Sequence, residues 1–242
     1  MICTLCPRRC GAVRTEEAGE GFCGMGTTPV VARAMLHRWE EPCISGTRGS
    51  GAVFFSGCVL RCVYCQNGLI SRGRFGKAIA PVRLREIFEE LIDQGAHNID
   101  LVSPTPYVPA ILEALEAPMS VPVVWNTGGY ERVETLRALE GRVQVWMPDL
   151  KYGEGPLAEA YSGAPDYFAA ASAAILEMYR QSGDYVLEDG LLRRGVLIRH
   201  LLLPGGLDNA KAVMDWVTAS FRPGQVLFSL MSQYTPQPGG EY

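Results

Sequence analysis

Ala52-Val53-Phe54-Phe55-Ser56-Gly57-Cys58-Val59-Leu60-Arg61-Cys62-Val63-Tyr64-Cys65 carries a short β-branched and aromatic run straight into three cysteines spaced C-x3-C-x2-C. The apolar run reads as a buried strand, and the cysteines fall in the loop that follows it. Similar short runs recur downstream at Ile99-Asp100-Leu101-Val102, Val121-Pro122-Val123-Val124-Trp125, Val143-Gln144-Val145-Trp146, Val196-Leu197-Ile198 and Val226-Leu227-Phe228-Ser229-Leu230. Helix-period stretches separate them. Leu84, Ile87, Phe88, Leu91 and Ile92 share one face and Gly95 closes that helix. Val108, Ile111, Leu112 and Leu115 form a second set, Val133, Leu136 and Leu139 a third, and Phe168, Ile175, Leu176 and Tyr179 a fourth. A last helix carries Val213, Met214 and Val217, with Asp208 as its N-cap.

Six strands alternating with helices predict parallel βα units. Six units fall short of the eight that close a full barrel. The expected fold is therefore α/β, an incomplete (β/α)6 barrel of parallel strands over residues 51–242, with an open parallel sheet as the alternative. In either case ligands collect at the C-terminal ends of the strands. Residues 1–50 have many glycines and few periodic apolar runs, and read as a small loop-rich, Cys-containing N-terminal module.

The 242 residues are 48% hydrophobic and 20% charged, ordinary proportions for a folded protein, so disorder is expected only at the ends. A net charge of −4 argues against a nucleic-acid-coating or membrane-surface protein. Arg193, Arg194, Arg199 and His200 make a local basic cluster that reads as a solvated loop face. No apolar run reaches the roughly 18–20 residues a membrane span needs, and the start lacks a secretion-signal pattern. A cytoplasmic location is expected, where thiols stay reduced. All eight cysteines nevertheless lie between residues 3 and 65, which points to metal or redox chemistry rather than disulfides.

Three neighbouring thiolates suit a soft metal or a cluster. A four-iron cubane normally takes four cysteines, so three leave one iron corner able to bind a further ligand. A structural zinc would need a fourth ligand, and after Cys65 the next histidine is His97. The spacing, directly after the first strand, resembles the radical S-adenosylmethionine (SAM) superfamily. That resemblance implies a 4Fe-4S cluster on Cys58, Cys62 and Cys65. It also implies SAM bound through its amino and carboxylate groups, and reductive cleavage to a 5′-deoxyadenosyl radical that abstracts hydrogen from a substrate. Tyr64 matches the aromatic that lies near the adenine.

Several strand ends resemble, more narrowly, the activating enzymes of pyruvate formate-lyase and their uncharacterised relatives. Met147-Pro148-Asp149-Leu150-Lys151 looks like their D-L-K segment, which implies that Asp149 and Lys151 face the cofactor. Asn126-Thr127-Gly128-Gly129-Tyr130 is similar to a turn in which glycines let the backbone approach a ligand and Asn126 and Thr127 hydrogen-bond it. Arg199 through Gly205 resembles an R-x4-P-G element whose arginine clamps a carboxylate, while His200 reads as a core histidine. Gln233 stands where the activases carry a histidine near the ribose. Strand two departs from the pattern. Val102-Ser103-Pro104-Thr105-Pro106-Tyr107 has no G-G-E, which leaves Ser103, Thr105 and backbone carbonyls to meet the SAM ammonium.

Cys3, Cys6, Cys10 and Cys23, spaced C-x2-C-x3-C-x12-C among turn residues, form a second candidate metal site. It suits a structural zinc or a second iron–sulfur cluster. Cys43 lies outside both sets and reads as a small buried side chain. The functional expectation is a radical SAM oxidoreductase with an external electron donor and a protein or peptide substrate, in its specific form the activator of a glycyl-radical enzyme. The alternatives are modification of a peptide or small molecule by the same chemistry, an iron–sulfur electron carrier, and a zinc-stapled binding module.

Overall fold

The computed structural model describes residues 2–236, so the last six residues of the expected 51–242 unit lie outside the described residues. The strands are β1 (Val30–His37), β2 (Ser50–Phe55), β3 (Lys77–Ala78), β4 (Ile99–Val102), β5 (Val123–Thr127), β6 (Val145–Pro148), β7 (Val186–Glu188), β8 (Leu191–Leu201) and β9 (Leu227–Met231). The helices are α1 (Pro42–Ser45), α2 (Gly68–Arg72), α3 (Pro81–Asp93), α4 (Val108–Ala114), α5 (Val133–Ala138), α6 (Leu157–Ser162), α7 (Tyr167–Ser182) and α8 (Leu207–Ser220).

All strands join one sheet in the order β3-β1-β2-β4-β5-β6-β8-β7, with β9 also on β8. The six strands expected from sequence, β2, β4, β5, β6, β8 and β9, pair in parallel in chain order. The sheet is mixed, because β1 lies antiparallel on β2 and β7 antiparallel on β8, and it does not close on itself. The chain is thus an α/β protein with a mostly parallel central sheet.

The two faces of the sheet differ in what covers them. Val53, Phe55, Ile99, Leu101, Trp125, Trp146, Val196 and Ile198 share one large core with Leu84 and Phe88 of α3, Ile111 of α4, Leu136 of α5, Ile175 of α7 and Val213 of α8. Each fully buried aliphatic side chain there contributes about 1.5–3 kcal/mol relative to exposure. On the opposite face Val124, Val145, Met147 and Leu197 pack with Ile44 of α1, so a four-residue helix from the N-terminal third fills that side. Cys43 packs partly buried against the same cluster.

Three local expectations change. Residues 30–37, placed by sequence in the loop-rich module, form a full strand on β2; its irregular pattern, interrupted by Arg33 and a bulge between Val31 and Arg33, hides its period. Arg193, Arg194, Arg199 and His200 are not a solvated loop but part of β8, with His200 fully buried. Asp208 lies in the first turn of α8 rather than at its N-cap, which is Gly206. There its charge still favours the helix N-terminus.

Before β1 the described chain has only isolated bridges, Ile2 with Val13, Arg14 with Gly19 and Ala18 with Met25. Side chains latch this segment to the cysteine loop, the turn after β4 and α5. Buried Arg14 donates to Met25 O at 3.0 Å, to Pro106 O at 2.6 Å and to Gly26 O. Thr135 donates to Leu5 O at 2.7 Å, and Arg8 to Val59 O at 2.9 Å. Gly57 takes φ +82° with Met25 directly against it, so no side chain fits where this segment meets the cysteine loop.

Candidate functional site

A cavity of about 350 Å³ opens at the C-terminal ends of the parallel strands. Cys58, Cys62, Cys65 and Tyr64 line it after β2, Ser103 after β4, Asn126 and Thr127 on β5, Asp149 and Lys151 after β6, Arg199 on β8 and Gln233 after β9. His37 at the end of β1, and Trp39 and Glu40 just after it, also reach it.

The cysteine loop is pinned from several sides. Arg72 donates to Cys62 O at 2.7 Å and Val63 O at 2.8 Å, and Val63 N–H to Tyr161 O at 2.9 Å. Arg61 turns the chain with φ +53°. Two donors are aimed at sulfur: Leu60 N–H at Cys58 Sγ, 3.4 Å, and Ser162 Oγ at Cys62 Sγ, 3.0 Å. Burial first, and the Cys62 and Cys65 charges next, push the Cys58 thiol up to about 11. A cation beside Cys58 would oppose both causes and favour its thiolate. Among the described residues no group of three or more His, Cys, Asp or Glu is placed to hold a single metal ion. A cubane holds its cysteines farther apart than one ion does. A soft donor trio on one cavity, with hydrogen bonds already aimed at two of its sulfurs, fits such a cluster.

Beside the cysteines lies a buried ionic network. Arg199 donates Nε to Asp149 Oδ1 at 2.9 Å, Nη1 to Glu40 Oε1 at 2.7 Å and Nη2 to Asn126 Oδ1 at 2.8 Å. Lys151 Nζ meets Asp149 Oδ2 at 2.6 Å. The Arg199 and Lys151 cations outweigh burial and hold the Asp149 carboxyl below its usual value. Asn126 Nδ2 reaches Glu40 at 3.2 Å and Asp100 at 3.4 Å. Asp100 is fully buried; burial, then the Glu40 charge, raise its carboxyl to about 8 against the pull of Arg199 and Asn126.

The structure thus brings Asn126, Asp149, Lys151 and Arg199 together on one cavity, with Arg199 at the centre of the network. Each guanidinium nitrogen already donates once to a protein partner, so three of its five N–H groups are spent on Asp149, Glu40 and Asn126. Gly129 keeps φ +80° against the Asp149 carbonyl, so the turn after β5 packs where a Cβ cannot go. Ser103 also has positive φ, +57°, with its N–H on Asn126 O at 2.9 Å, a strained position at the cavity wall.

Thr105 does not join the cavity. Its hydroxyl donates to Glu131 Oε1 at 2.6 Å, an oxygen that Thr127 also bonds at 2.6 Å and Trp125 at 3.4 Å. The chain after Ser103 enters a 3-10 turn, Thr105–Tyr107, that turns Thr105 inward. His200 also faces the core, with Nδ1 2.6 Å from Leu150 O. His97 lies away from the cysteines, against Arg48.

Sequence reasoning missed Glu40, Asp100, Glu131 and Ser162. A signal existed for Asp100, a carboxylate inside a buried apolar run. For Ser162, 100 residues from its sulfur partner, none existed.

At the N-terminus Cys3 and Cys6 are buried, Cys23 is half-buried and Cys10 is exposed. Burial is the main cause that pushes the Cys6 thiol up to about 12, with Glu131, Cys23 and Cys3 adding to it. Those contributions put Cys3, Cys6 and Cys23 in one neighbourhood. The Cys10 sulfur lies against Gly21.

No family model matches the chain. Over 97% of its length it is 30% identical to an uncharacterised protein of Methanocaldococcus jannaschii, and it spans 66% of that protein. No helix among the described residues is long and apolar enough to cross a membrane.

Proposed function

We propose that this chain is a radical SAM enzyme, with Cys58, Cys62 and Cys65 holding a 4Fe-4S cluster. The observation that carries this is the meeting of three thiols with a buried acid–base network on one cavity at the C-terminal strand ends. Six parallel strands in chain order support reading the open sheet as an incomplete (β/α)6 barrel. When bound, the cluster supplies the electron that splits the sulfonium of SAM, and the protein orients the fragments and excludes water.

The chain's own residues divide that task. Lys151, bonded to Asp149 and exposed to the cavity, is the cation for an anionic group of SAM. Ser103 and Gln233 offer polar atoms to the remainder, and Thr127 and Tyr64 form wall. Arg199 and Asn126 act one step back and hold Asp149 and Glu40 in place. An external reductant supplies electrons, and a separate protein or peptide, in the specific form a glycyl-radical enzyme, supplies the hydrogen. The Cys3, Cys6, Cys10 and Cys23 segment binds zinc or a second cluster.

Anaerobic reconstitution with iron and sulfide, followed by dithionite and SAM, tests the reading. Formation of 5′-deoxyadenosine is expected. A fully loaded four-iron protein that forms none is a carrier, not an enzyme of this kind.

A further inference from the structure

Behind the cysteine loop runs a chain of three hydroxyls. Tyr64 Oη lies 2.8 Å from Tyr152 Oη, Tyr152 Oη 2.7 Å from Ser162 Oγ, and Ser162 Oγ 3.0 Å from Cys62 Sγ. Tyr64, Tyr152 and Ser162 are all buried, at 6%, 0% and 5% exposure, so water does not compete along the chain. A metal-bound thiolate can only accept, and each hydroxyl carries one proton. The sulfur therefore sets the direction: Ser162 donates to Cys62, Tyr152 to Ser162, and Tyr64 to Tyr152. Hydrogen bonds aligned this way polarise one another and strengthen the last one.

Ser162 is also held from outside. It ends α6, Gly163 caps that helix in the left-handed region at φ +55°, and Arg8 donates to Ser162 O at 2.6 Å. The adjacent Tyr161 O accepts Val63 N–H from the cysteine loop itself.

We infer that Ser162, backed by Tyr152 and Tyr64, is a positioning residue that sets the reduction potential of the cluster through Cys62. This rests on the cluster assignment proposed above. A hydrogen bond to a ligating sulfur withdraws negative charge and favours the reduced cluster.

The test is an anaerobic redox titration of the reconstituted protein, followed by the EPR signal of the reduced cluster. Ser162→Ala is expected to move the midpoint to more negative potential. Tyr152→Phe, which weakens but does not remove the donor, moves it less in the same direction. Ser162→Thr, which keeps a hydroxyl, restores the wild-type midpoint. If Ser162→Ala does not load, Tyr152→Phe decides alone. Wild-type midpoints in the loaded variants overturn this inference and leave the cluster assignment standing. A wild-type protein that takes up no four-iron cluster overturns both.

Discussion

Arg199 and Asp149 stand in register across β8 and the end of β6, and a 2.9 Å Nε–Oδ1 bond joins their side chains. Both are largely buried, at 11% and 16% side-chain exposure, and Glu40 accepts from the same guanidinium at 2.7 Å. One cation therefore serves two carboxylates that have little access to water. Replacing Arg199 by Met takes the cation from Glu40 and leaves Asp149 with Lys151 alone, and breaking such a buried pair costs about 3–5 kcal/mol. Arg199→Lys keeps the charge and loses the fork, so its loss is smaller. Urea denaturation at pH 7 measures this. A loss below about 1 kcal/mol for Arg199→Met denies the network a structural role.

Asp100 gives the stability a pH dependence of definite sign. In the fold its carboxyl keeps its proton to about 8, whereas its ordinary value is 3.8. Between those limits the folded state binds a proton that the unfolded chain has released. The stability tied to this group is whole below the lower value and drains as pH rises toward the upper one, by at most about 1.4 kcal/mol per pH unit. Asp100→Asn does not titrate. Its stability relative to wild type is expected to improve steadily from pH 5 to pH 8 in paired denaturant titrations. A gap that stays constant or narrows over that range contradicts the buried-proton account.

What could be read from sequence follows from where the physics is local. The six parallel strands announced themselves because each is a short apolar run between helices of clear period, as at Leu84, Phe88 and Leu91. Strand β1 did not, since a strand with half-exposed alternation and a bulge carries no period to detect. Asn126, Asp149, Lys151 and Arg199 were legible because parallel strands aim their C-terminal ends at one place. Thr105 was misplaced because spacing says nothing of the 3-10 turn that points it at Glu131. Glu40 and Ser162 were invisible, since the partners that make them matter, Arg199 and Cys62, are 159 and 100 residues away.

Arg14 fastens the N-terminal segment, being buried with carbonyls of Met25, Gly26 and Pro106 around its guanidinium. Arg14→Ala leaves those buried carbonyls without this donor, at about 1–3 kcal/mol each where water does not replace it. The segment before β1 has only isolated bridges of its own, so it is expected to loosen while the parallel sheet persists. Limited proteolysis should then cut within residues 2–28 much faster than in wild type and leave a resistant core. Cleavage spread evenly along the chain shows instead that the segment and the sheet are one cooperative unit.

Cys62 separates a cluster ligand from a core residue. Its side chain is 5% exposed, accepts from Ser162 and packs in the main core. Serine nearly matches it in size and keeps a hydrogen-bond acceptor, so the metal-free fold should lose no more than about 0.5–1.5 kcal/mol. As a ligand, however, a hydroxyl does not replace a soft thiolate. Cys62→Ser is expected to lower iron uptake on anaerobic reconstitution by about four atoms per chain relative to wild type. Cys6→Ser, in the other cysteine set, leaves those four in place. Iron assays beside the thermal unfolding of the metal-free proteins distinguish the outcomes. Undiminished iron in Cys62→Ser removes the trio from the cluster, and collapse of the metal-free fold makes Cys62 a packing residue first.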